Sequence, residues 1–473
     1  MKTNKWLIGW CVLSAAGLFA SAAMTIKVDP YFHYHKPNTD KYFYELENER
    51  SQNDGISRHF DYDAIIIGSS MCENFKTSEL DELFGVKSVK LPYPGATYKE
   101  ITDSTRRALE YNPDIKIVVR GLDMVRFADN KDALRTDLGK FPFYLYDNNP
   151  FNDEEYLFNR EVLLNQIVKI EIDRKSKEPG ITSFDDYLSF MSPCGIGSVC
   201  PDGLQVDKNV PEIELSDGLK DSLKNNIGQN VVELARQYPE VDFYYFFTPY
   251  SAVWWGELAG EGKLRQQVEQ EKMVIEAMLQ CDNIKLFSIN LRTDLTTDIN
   301  NYSDERHYGF WINSLVLKCM KEGKCQLTKD NYEQYLKDEL EFYESFDFNE
   351  LTNQSDYSND YYADALIRNE ITGVTPHLEE EPRKTGDVII VDDTAKYKYL
   401  VFTDAKLSDG DLAEVYIYDE NGEIVKTVEL EYNELNSAPR LHVVNIENCR
   451  GQLSIVFGKS DCAEYEFNSI GLY

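Results

Sequence analysis

Two short segments, far apart in the chain, carry residue types that catalyse acyl transfer. The first is Gly68-Ser69-Ser70 and the second is Asp304-x-x-His307. A serine hydroxyl needs a base to remove its proton, and an imidazole base needs a carboxylate to fix its tautomer and stabilise its cation. These residue types predict Ser70 as nucleophile, His307 as its base and Asp304 as the carboxylate that orients His307.

Each segment alone is a weak signal. Gly-Ser-Ser is common in structural turns, and a histidine near an aspartate is common on protein surfaces. Ser69 is the alternative nucleophile. Cys72 is a further candidate, although a cysteine in such a place is more often buried or disulfide-bonded than reactive. The two segments become specific only if the fold brings them together.

Alternating strands and helices must position these residues. Apolar, β-branched or aromatic runs predict strands at 62–68, 87–91, 116–119, 242–247 and 284–289, and amphipathic stretches predict helices at 77–84, 97–111, 216–238, 263–279 and 309–320. This alternation predicts a parallel sheet covered by helices on both faces. Open α/β sheets bind ligands at the carboxyl ends of their strands, so Ser70 is expected at that edge.

Residues 62–320 resemble the SGNH/GDSL hydrolase superfamily. Gly68-Ser69-Ser70 matches the family's first block, Gly95 in LPYPGATY matches the second, and Asp304-x-x-His307 matches the last. The resemblance implies a flavodoxin-like three-layer α/β/α fold, with an oxyanion hole formed by the N–H groups of Ser70 and Gly95. With its apolar N-terminus, the chain also looks like the D-alanyl transfer proteins of teichoic acid systems and the alginate O-acetylation proteins. Their ectodomains work beside a membrane-bound O-acyltransferase.

Asp123 departs from the family pattern. The family's third block is Gly-x-Asn-Asp, whose Asn donates a hydrogen bond to the oxyanion, whereas this chain has Gly121-Leu122-Asp123. An ionised carboxylate cannot donate, and its charge opposes an oxyanion. Three alternatives stay open: a protonated Asp123 in the oxyanion hole, an Asp123 paired with Arg120 or Arg126, and an Asp123 without an oxyanion role.

Three aromatic residues follow the strand predicted at 242–247, in a segment interpreted as a loop on the catalytic edge. Tyr250, Trp254 and Trp255 are candidates for stacking on sugar rings or covering an acyl chain. Packing in the core against a helix is the competing interpretation.

The N-terminus predicts a membrane anchor. Residues 6–26 form an uncharged run of 21 residues preceded by Lys2 and Lys5. About 20 apolar residues cross a bilayer, and the two lysines favour a cytoplasmic N-terminus. A signal peptide cleaved at Ala20-Ser21-Ala22 is the alternative. Either interpretation exports the rest of the chain.

Cysteine content agrees with export. Of nine cysteines, Cys11 lies in the apolar run, which leaves eight outside. An even number in an oxidising compartment suggests disulfides, for which Cys194–Cys200, Cys319–Cys325 and Cys449–Cys462 are candidate pairs. No CxxC motif is present, and His33 and His35 have no further ligand nearby in sequence, so neither metal nor cofactor is predicted.

The formal net charge of −33 argues against a nucleic-acid partner and against adsorption to an anionic membrane surface. A solvated acidic surface is the simplest interpretation, and binding of cations or cationic polymers is the other.

Composition changes along the chain predict five regions. They are a transmembrane signal-anchor at 1–26, a juxtamembrane stem at 27–60, the SGNH-like domain at 61–343 with an insertion at about 128–212, an acidic linker at 344–385, and an antiparallel β-sandwich at 386–473. The sandwich is indicated by short alternating segments separated by turns such as Asp409-Gly410 and Asn421-Gly422.

Three hypotheses for function follow. The first is an extracytoplasmic serine esterase or O-acyltransferase acting on a cell-envelope glycan or a teichoic-acid-like polymer. The second is a non-catalytic envelope scaffold or carbohydrate-binding protein, for which Asp123 and the C-terminal β-sandwich are the motivation. The third is an accessory protein of a membrane-bound acyltransferase.

Overall fold

The computed structural model describes residues 2–135, 137, 141–186 and 194–353, and beyond them 377–379, 383–384, 388–391, 399–405, 412–431, 441–446, 452–460 and 466–472. The chain forms two compact units. The first comprises Met1–Met191, Gln205–Thr297 and Glu305–Asn349, and the second comprises Ser192–Leu204, Asp298–Asp304 and Glu350–Tyr473. The region boundaries expected from composition stay predictions.

The helices and turns of the described residues have the following bounds. The α-helices are α1 Lys2–Val28, α2 Glu49–His59, α3 Thr77–Phe84, α4 Tyr98–Tyr111, α5 Glu154–Leu157, α6 Val168–Asp173, α7 Ile196–Val199, α8 Asp217–Ile227, α9 Glu233–Gln237, α10 Ala252–Gly260, α11 Leu264–Met278, α12 Thr293–Thr296, α13 Phe310–Glu322 and α14 Tyr332–Ser345. The 3-10 turns are Ser70–Cys72, Met124–Arg126, Phe143–Leu145, Ile299–Asn301 and Phe348–Asn353, and the π-helical turns are Val162–Ile167 and Gly228–Val232.

The strands have these bounds: β1 Phe43–Tyr44, β2 Ala64–Gly68, β3 Ser88–Pro92, β4 Ile117–Leu122, β5 Gly180–Ile181, β6 Asp242–Phe247, β7 Ile284–Ser288, β8 Gln326–Leu327, β9 His377–Glu379, β10 Arg383–Lys384, β11 Val388–Val391, β12 Tyr399–Ala405, β13 Leu412–Tyr418, β14 Ile424–Glu431, β15 Leu441–Asn445, β16 Leu453–Ser460 and β17 Glu466–Leu472.

The first unit is built on a six-stranded sheet of order β3-β2-β4-β6-β7-β8, in which all neighbours but the last pair are parallel. Counted along the chain, its five parallel strands have the order 2-1-3-4-5, which is the flavodoxin-like arrangement. The crossovers through α3 and α4 run in opposite directions, so right-handed connections put these helices on opposite faces. The predicted three-layer α/β/α fold is confirmed.

The central strands consist of apolar, largely β-branched residues because they are buried on both faces. Every residue of β2 and β4 is buried. The predicted start of α4 is confirmed: Thr97 and Glu100 form a capping box that satisfies two backbone N–H groups. Gly85 ends α3 with a φ of 70°, a left-handed conformation in which glycine carries no steric penalty.

Several elements were not anticipated, α10, α14 and β8 among them. The prediction of a loop after β6 is wrong from Ala252 onward, because α10 begins there and its aromatic residues are buried. The helix α14 packs against α11. The two-residue strand β8 adds an antiparallel edge beside β7. A short apolar segment does not reveal whether a neighbour will cover it, so its secondary structure depends on tertiary contacts.

The segment predicted as an insertion, about 128–212, contributes short helices beside α1. α5 and the π-helical turn Val162–Ile167 contact α1, and β5 pairs in parallel with β1 of the stem. The Ser21 and Thr25 hydroxyls of α1 donate hydrogen bonds to the Leu157 carbonyl oxygen at 2.9 and 3.3 Å. The end of α1 therefore belongs to the packed structure of the first unit.

The second unit contains two antiparallel sheets in its described strands. One has the order β10-β17-β12-β15 with β9 also paired to β17, and the other has the order β11-β16-β13-β14. The predicted C-terminal antiparallel β-structure is confirmed.

The predicted disulfides have different outcomes. The sulfur atoms of Cys319 and Cys325 lie 4.0 Å apart, so the two thiols are in contact without a bond between them. The pairing of Cys194 with Cys200 stays a prediction. Cys449 and Cys462 lie outside the described residues.

Candidate active site

Ser70 lies directly beyond the carboxyl end of β2. Ser69 has an extended backbone, and its hydroxyl accepts a hydrogen bond from the Met71 N–H at 3.3 Å, which caps the 3-10 turn that begins at Ser70. Ser70 is half-buried, whereas Ser69 is buried. The tight turn therefore presents the Ser70 side chain at the sheet edge and turns that of Ser69 inward.

Two glycines make room for this turn. A Cβ atom at Gly68 would lie 2.4 Å from the Cys72 Sγ, and one at Gly121 of the neighbouring strand β4 would lie 2.9 Å from the same sulfur. The Cys72 thiol is fully buried, forms no disulfide, and has a pKa that burial raises. Its position between two strands is that of a core side chain rather than an attacking thiolate.

His307 meets Ser70. The Ser70 Oγ lies 2.8 Å from the His307 Nε2, which is within hydrogen-bonding distance. The two residues are separated by 237 positions in the chain. Asp304 belongs to the second unit, and its pairing with His307 stays a prediction.

Hydrogen bonds from two directions hold the segment that carries His307. Asn313 Nδ2 and the Tyr308 hydroxyl donate to the Met71 carbonyl oxygen at 3.0 and 3.4 Å. The N–H and hydroxyl of Ser251 donate to the Glu305 carbonyl oxygen at 3.1 and 2.8 Å. The imidazole and the serine turn are thus tied together by neighbouring backbone groups as well as by their own contact.

Glu73, which follows the serine turn, was missed by the sequence reasoning. Its carboxyl is buried, and this burial raises its pKa to about 8, helped by repulsion from Glu49, while the charges of His307 and Lys90 oppose the increase. A mostly neutral carboxyl thus lies within electrostatic reach of the imidazole at pH 7. The only available signal was an acidic residue in a segment expected to be covered by the helix after β2.

Lys90 fixes the backbone that follows the serine turn. Its side chain is fully buried in β3, and its ammonium donates to the carbonyl oxygens of Glu73 and of Phe75, the latter at 3.1 Å. Burial lowers the pKa of Lys90 to about 8. A buried ammonium is tolerated because these carbonyls replace water as its partners.

Gly95 lies in the turn after β3, next to the end of β2. The Tyr93 N–H donates to the Gly68 carbonyl oxygen at 2.9 Å, which joins this turn to the serine segment. Gly95 has a φ of 63°. Its carbonyl oxygen accepts hydrogen bonds from Arg126 and Arg135 at 3.1 and 2.5 Å, so the turn is fixed on its outer side.

Asp123 lies beyond the end of β4, buried beside the site. The Tyr250 hydroxyl donates to its carboxylate at 3.2 Å, and Ser69 also hydrogen-bonds it. Burial raises the pKa of Asp123, opposed by Ser69, Arg126, Tyr250 and His307. The carboxyl therefore contacts Ser69, the residue before Ser70, and the charge of His307 lowers its pKa.

The hydrogen bonds of the Arg120 guanidinium go to groups other than Asp123. Its fully buried guanidinium donates to the Thr102 hydroxyl at 3.0 Å and to the Asn230 carbonyl oxygen at 2.9 Å. It also lies over the rings of Tyr98 and Tyr245. Arg120 is therefore a bridge between β4 and the helices on one face of the sheet.

The three aromatic candidates are buried. Tyr250 contacts Asp123, Trp254 packs edge-on against both Tyr250 and Trp255, and Trp255 stacks on Tyr343 with 4.3 Å between ring centroids. Tyr250 is thus the member of the trio that contacts the site. The role of the three as a substrate-binding surface stays a prediction.

Among the described residues, no three or more His, Cys, Asp or Glu side chains are arranged to hold a metal ion. The polar groups gathered at this sheet edge are a serine hydroxyl, an imidazole in contact with it, and two buried carboxyls.

Comparisons with known proteins add little to this description. No protein-family model matches the chain, and no curated protein matches it. Among solved structures, the chain is similar to a two-domain esterase (CEX) active on acetylated mannans, at 10% identity and a TM-score of 0.23, covering 86% of this chain and 89% of that one. It is also similar to the capsular polysaccharide assembling protein CapF from Staphylococcus aureus, at 11% identity and a TM-score of 0.14, covering 86% and 95%. With TM-scores this low, neither similarity indicates a function for this chain.

Proposed function

We propose that this protein is a membrane-anchored, extracytoplasmic serine acyl-ester hydrolase or O-acyltransferase that acts on a cell-envelope glycan or polymer. The observation that carries the proposal is the 2.8 Å contact between the Ser70 Oγ and the His307 Nε2 at the carboxyl edge of a parallel sheet. That edge is where α/β sheets of this topology bind ligands.

The reaction proceeds in two steps. Ser70 Oγ attacks the ester carbonyl carbon while its proton passes to His307 Nε2, and the resulting tetrahedral oxyanion collapses to an acyl-serine as the leaving alcohol takes that proton. Water or a sugar hydroxyl then attacks the acyl carbon, giving its proton to His307, and Ser70 leaves with the proton returned. Water makes the protein an esterase, and a sugar hydroxyl makes it a transferase.

Charge stabilisation in this scheme falls to the N–H groups of Ser70 and Gly95, with Asp304 orienting His307. Asp123 stands where a donor is expected. Burial favours the neutral form of its carboxyl, which would remove the charge that opposes an oxyanion.

Anchoring by α1 is supported by its length and by its packing. Lys5–Val28 is long and apolar enough to cross a membrane. Thr25 and Val28, near its end, are fully buried or nearly so, and Ser21 is hydrogen-bonded to the Leu157 carbonyl oxygen. Cleavage after Ala22 would remove the hydrogen bond between Ser21 and the Leu157 carbonyl oxygen, so retention is favoured over processing.

The test is labelling with a fluorophosphonate probe, which forms an adduct with an activated serine. Wild type and Ser69→Ala are expected to label, whereas Ser70→Ala and His307→Ala are expected to lose the adduct while keeping the wild-type melting temperature. Labelling that persists in Ser70→Ala and disappears in Ser69→Ala would move the nucleophile by one residue. A folded wild type that never labels would refute catalysis.

A non-catalytic envelope scaffold or carbohydrate-binding protein is the second candidate, favoured by the carboxyl of Asp123 in place of an amide. It predicts polysaccharide binding that is unchanged in Ser70→Ala. Co-purification of the full chain with a membrane-bound O-acyltransferase, without labelling of Ser70, would assign it to the accessory role.

A further inference from the structure

A row of apolar side chains faces outward beside the end of α1. Leu164, Val168 and Ile172 lie four residues apart along the helical segment formed by the π-helical turn and α6, so they form one stripe. Their exposed fractions are 51%, 42% and 59%. We call these three residues the outer stripe.

The opposite side of the same segment is part of the core of the first unit. Val162, Ile167 and Ile170 are buried. Two contacts tie the segment to the stem: Lys169 forms an ion pair with Glu45, and the Tyr42 hydroxyl donates a hydrogen bond to the Glu171 carboxylate at 3.1 Å. The segment is therefore fixed in orientation, and it cannot rotate to hide the outer stripe inside the protein.

The segment lies beside α1, and this position indicates which environment covers the outer stripe. Leu157, just before the segment, accepts hydrogen bonds from Ser21 and Thr25. Ser21 precedes Lys27, the basic residue at the outer end of α1, by six residues, which is about 9 Å along a helix axis. Amphipathic helices at membrane surfaces bury their apolar side about 5–10 Å into the boundary between headgroups and acyl chains.

Phe158, which follows Leu157 in the chain, is 42% exposed. The side chains of α1 are themselves exposed over its apolar length, and the π-helical turn that carries Leu164 contacts α1. The outer stripe therefore begins beside the helix that is proposed to meet lipid. Burying exposed apolar area is the driving force for such insertion, and the acidic net charge of the protein does not supply an alternative attraction to anionic lipids.

We propose that the outer stripe lies in the outer interface of the lipid bilayer, as a second membrane contact beside the anchor. The inference rests on the proposed anchoring by α1. Two contacts fix the tilt of the first unit, so that the edge carrying Ser70 is held at a constant height and orientation above the membrane.

The experiment places the environment-sensitive dye NBD on single introduced cysteines in the full chain, reconstituted in phosphatidylcholine vesicles that contain acyl-chain doxyl lipid. The background is Cys11→Ser, which removes the exposed native thiol of α1, and the parent without an introduced cysteine gives the residual labelling. The test positions are Leu164→Cys and Val168→Cys. The matched control is Ile213→Cys, which replaces an apolar residue of similar exposure, 45%, in the same unit.

The expected result is a blue-shifted emission and severalfold stronger doxyl quenching at both test positions than at Ile213→Cys. A further variant, Leu13→Cys in α1, reports anchoring by itself. Test positions that behave like the Ile213→Cys control while Leu13→Cys is strongly quenched would overturn the inference and leave the anchor intact. Absence of quenching at Leu13→Cys would overturn both proposals.

Discussion

Gly68 is the position at which one added methyl group tests the geometry of the catalytic turn. In Gly68→Ala the new Cβ would lie 2.4 Å from the Cys72 Sγ and 3.2 Å from its Cβ, against an ordinary contact of 3.4–4 Å. Relief requires a movement of about 1 Å, and overpacking of this kind costs about 1–3 kcal/mol of the free energy of unfolding. Ser70 is two residues away, and a misplacement of about 1 Å costs about 10²-fold in rate.

The structure also predicts how to repair the defect. Cys72→Ala removes the sulfur atom that the new methyl group would contact. The double variant Gly68→Ala/Cys72→Ala should therefore lose less stability and less labelling rate than the two single variants lose together. The expected coupling free energy is about 0.5–3 kcal/mol, the range for side chains in contact.

Urea unfolding gives the free energies for this cycle, and the second-order rate of fluorophosphonate labelling reports the site. Cys72→Ala alone is expected to label at nearly the wild-type rate, because its thiol is buried under the turn. The reasoning would be refuted by a double variant whose losses simply add, or by a Gly68→Ala protein that labels as fast as wild type.

Three further outcomes are expected. Asn313→Ala removes the 3.0 Å hydrogen bond to the Met71 carbonyl oxygen, so the imidazole of His307 and the hydroxyl of Ser70 are held less firmly relative to each other. Labelling should slow about 10-fold with its pH optimum unchanged. A labelling rate within twofold of wild type would contradict this. Asp123→Asn should speed labelling at pH 8 by about 10-fold or more, because an amide donates where a carboxylate repels, and a slower variant would show that the carboxylate is needed. Burial raises the pKa of both Glu271 and Glu339, the latter to about 7. The folded protein therefore holds protons that the unfolded chain has released. As a result, the free energy of unfolding falls as the pH rises from about 4.5 to about 7. Thermal melts should therefore show Glu339→Gln more stable than wild type by a few degrees at pH 8 and little different at pH 4.5.

Much of the parallel sheet follows from the sequence because its strands are buried on both faces. The run that became β2 is apolar throughout, and a strand of that kind is recognisable without knowing its neighbours. The start of α4 was equally local, since the capping box involves only Thr97 and Glu100. Local chemistry of this sort can be read before any tertiary contact is known.

Other features depend on contacts that the sequence does not reveal. Trp254 and Trp255 lie in α10, where Tyr343 of α14 covers one of the rings, and neither helix has a strong signal of its own. The raised pKa of Glu73 depends on its burial, and the Lys90 ammonium of β3 binds its carbonyl oxygen; neither feature is visible in the sequence. Asn313 looks like any polar residue of an amphipathic helix until its partner, the Met71 carbonyl, is known.

The strand β8 has a consequence for the exposed margin of the sheet. It offers only Gln326 and Leu327 to a neighbour, and it runs opposite to the other five strands. At the far margin, β3 is buried throughout and ends at Pro92, which has no N–H to donate. Very short outer strands and proline are among the means by which proteins prevent stray chains from docking onto an unpaired sheet border. The two margins therefore give a second copy of this protein little backbone to pair with.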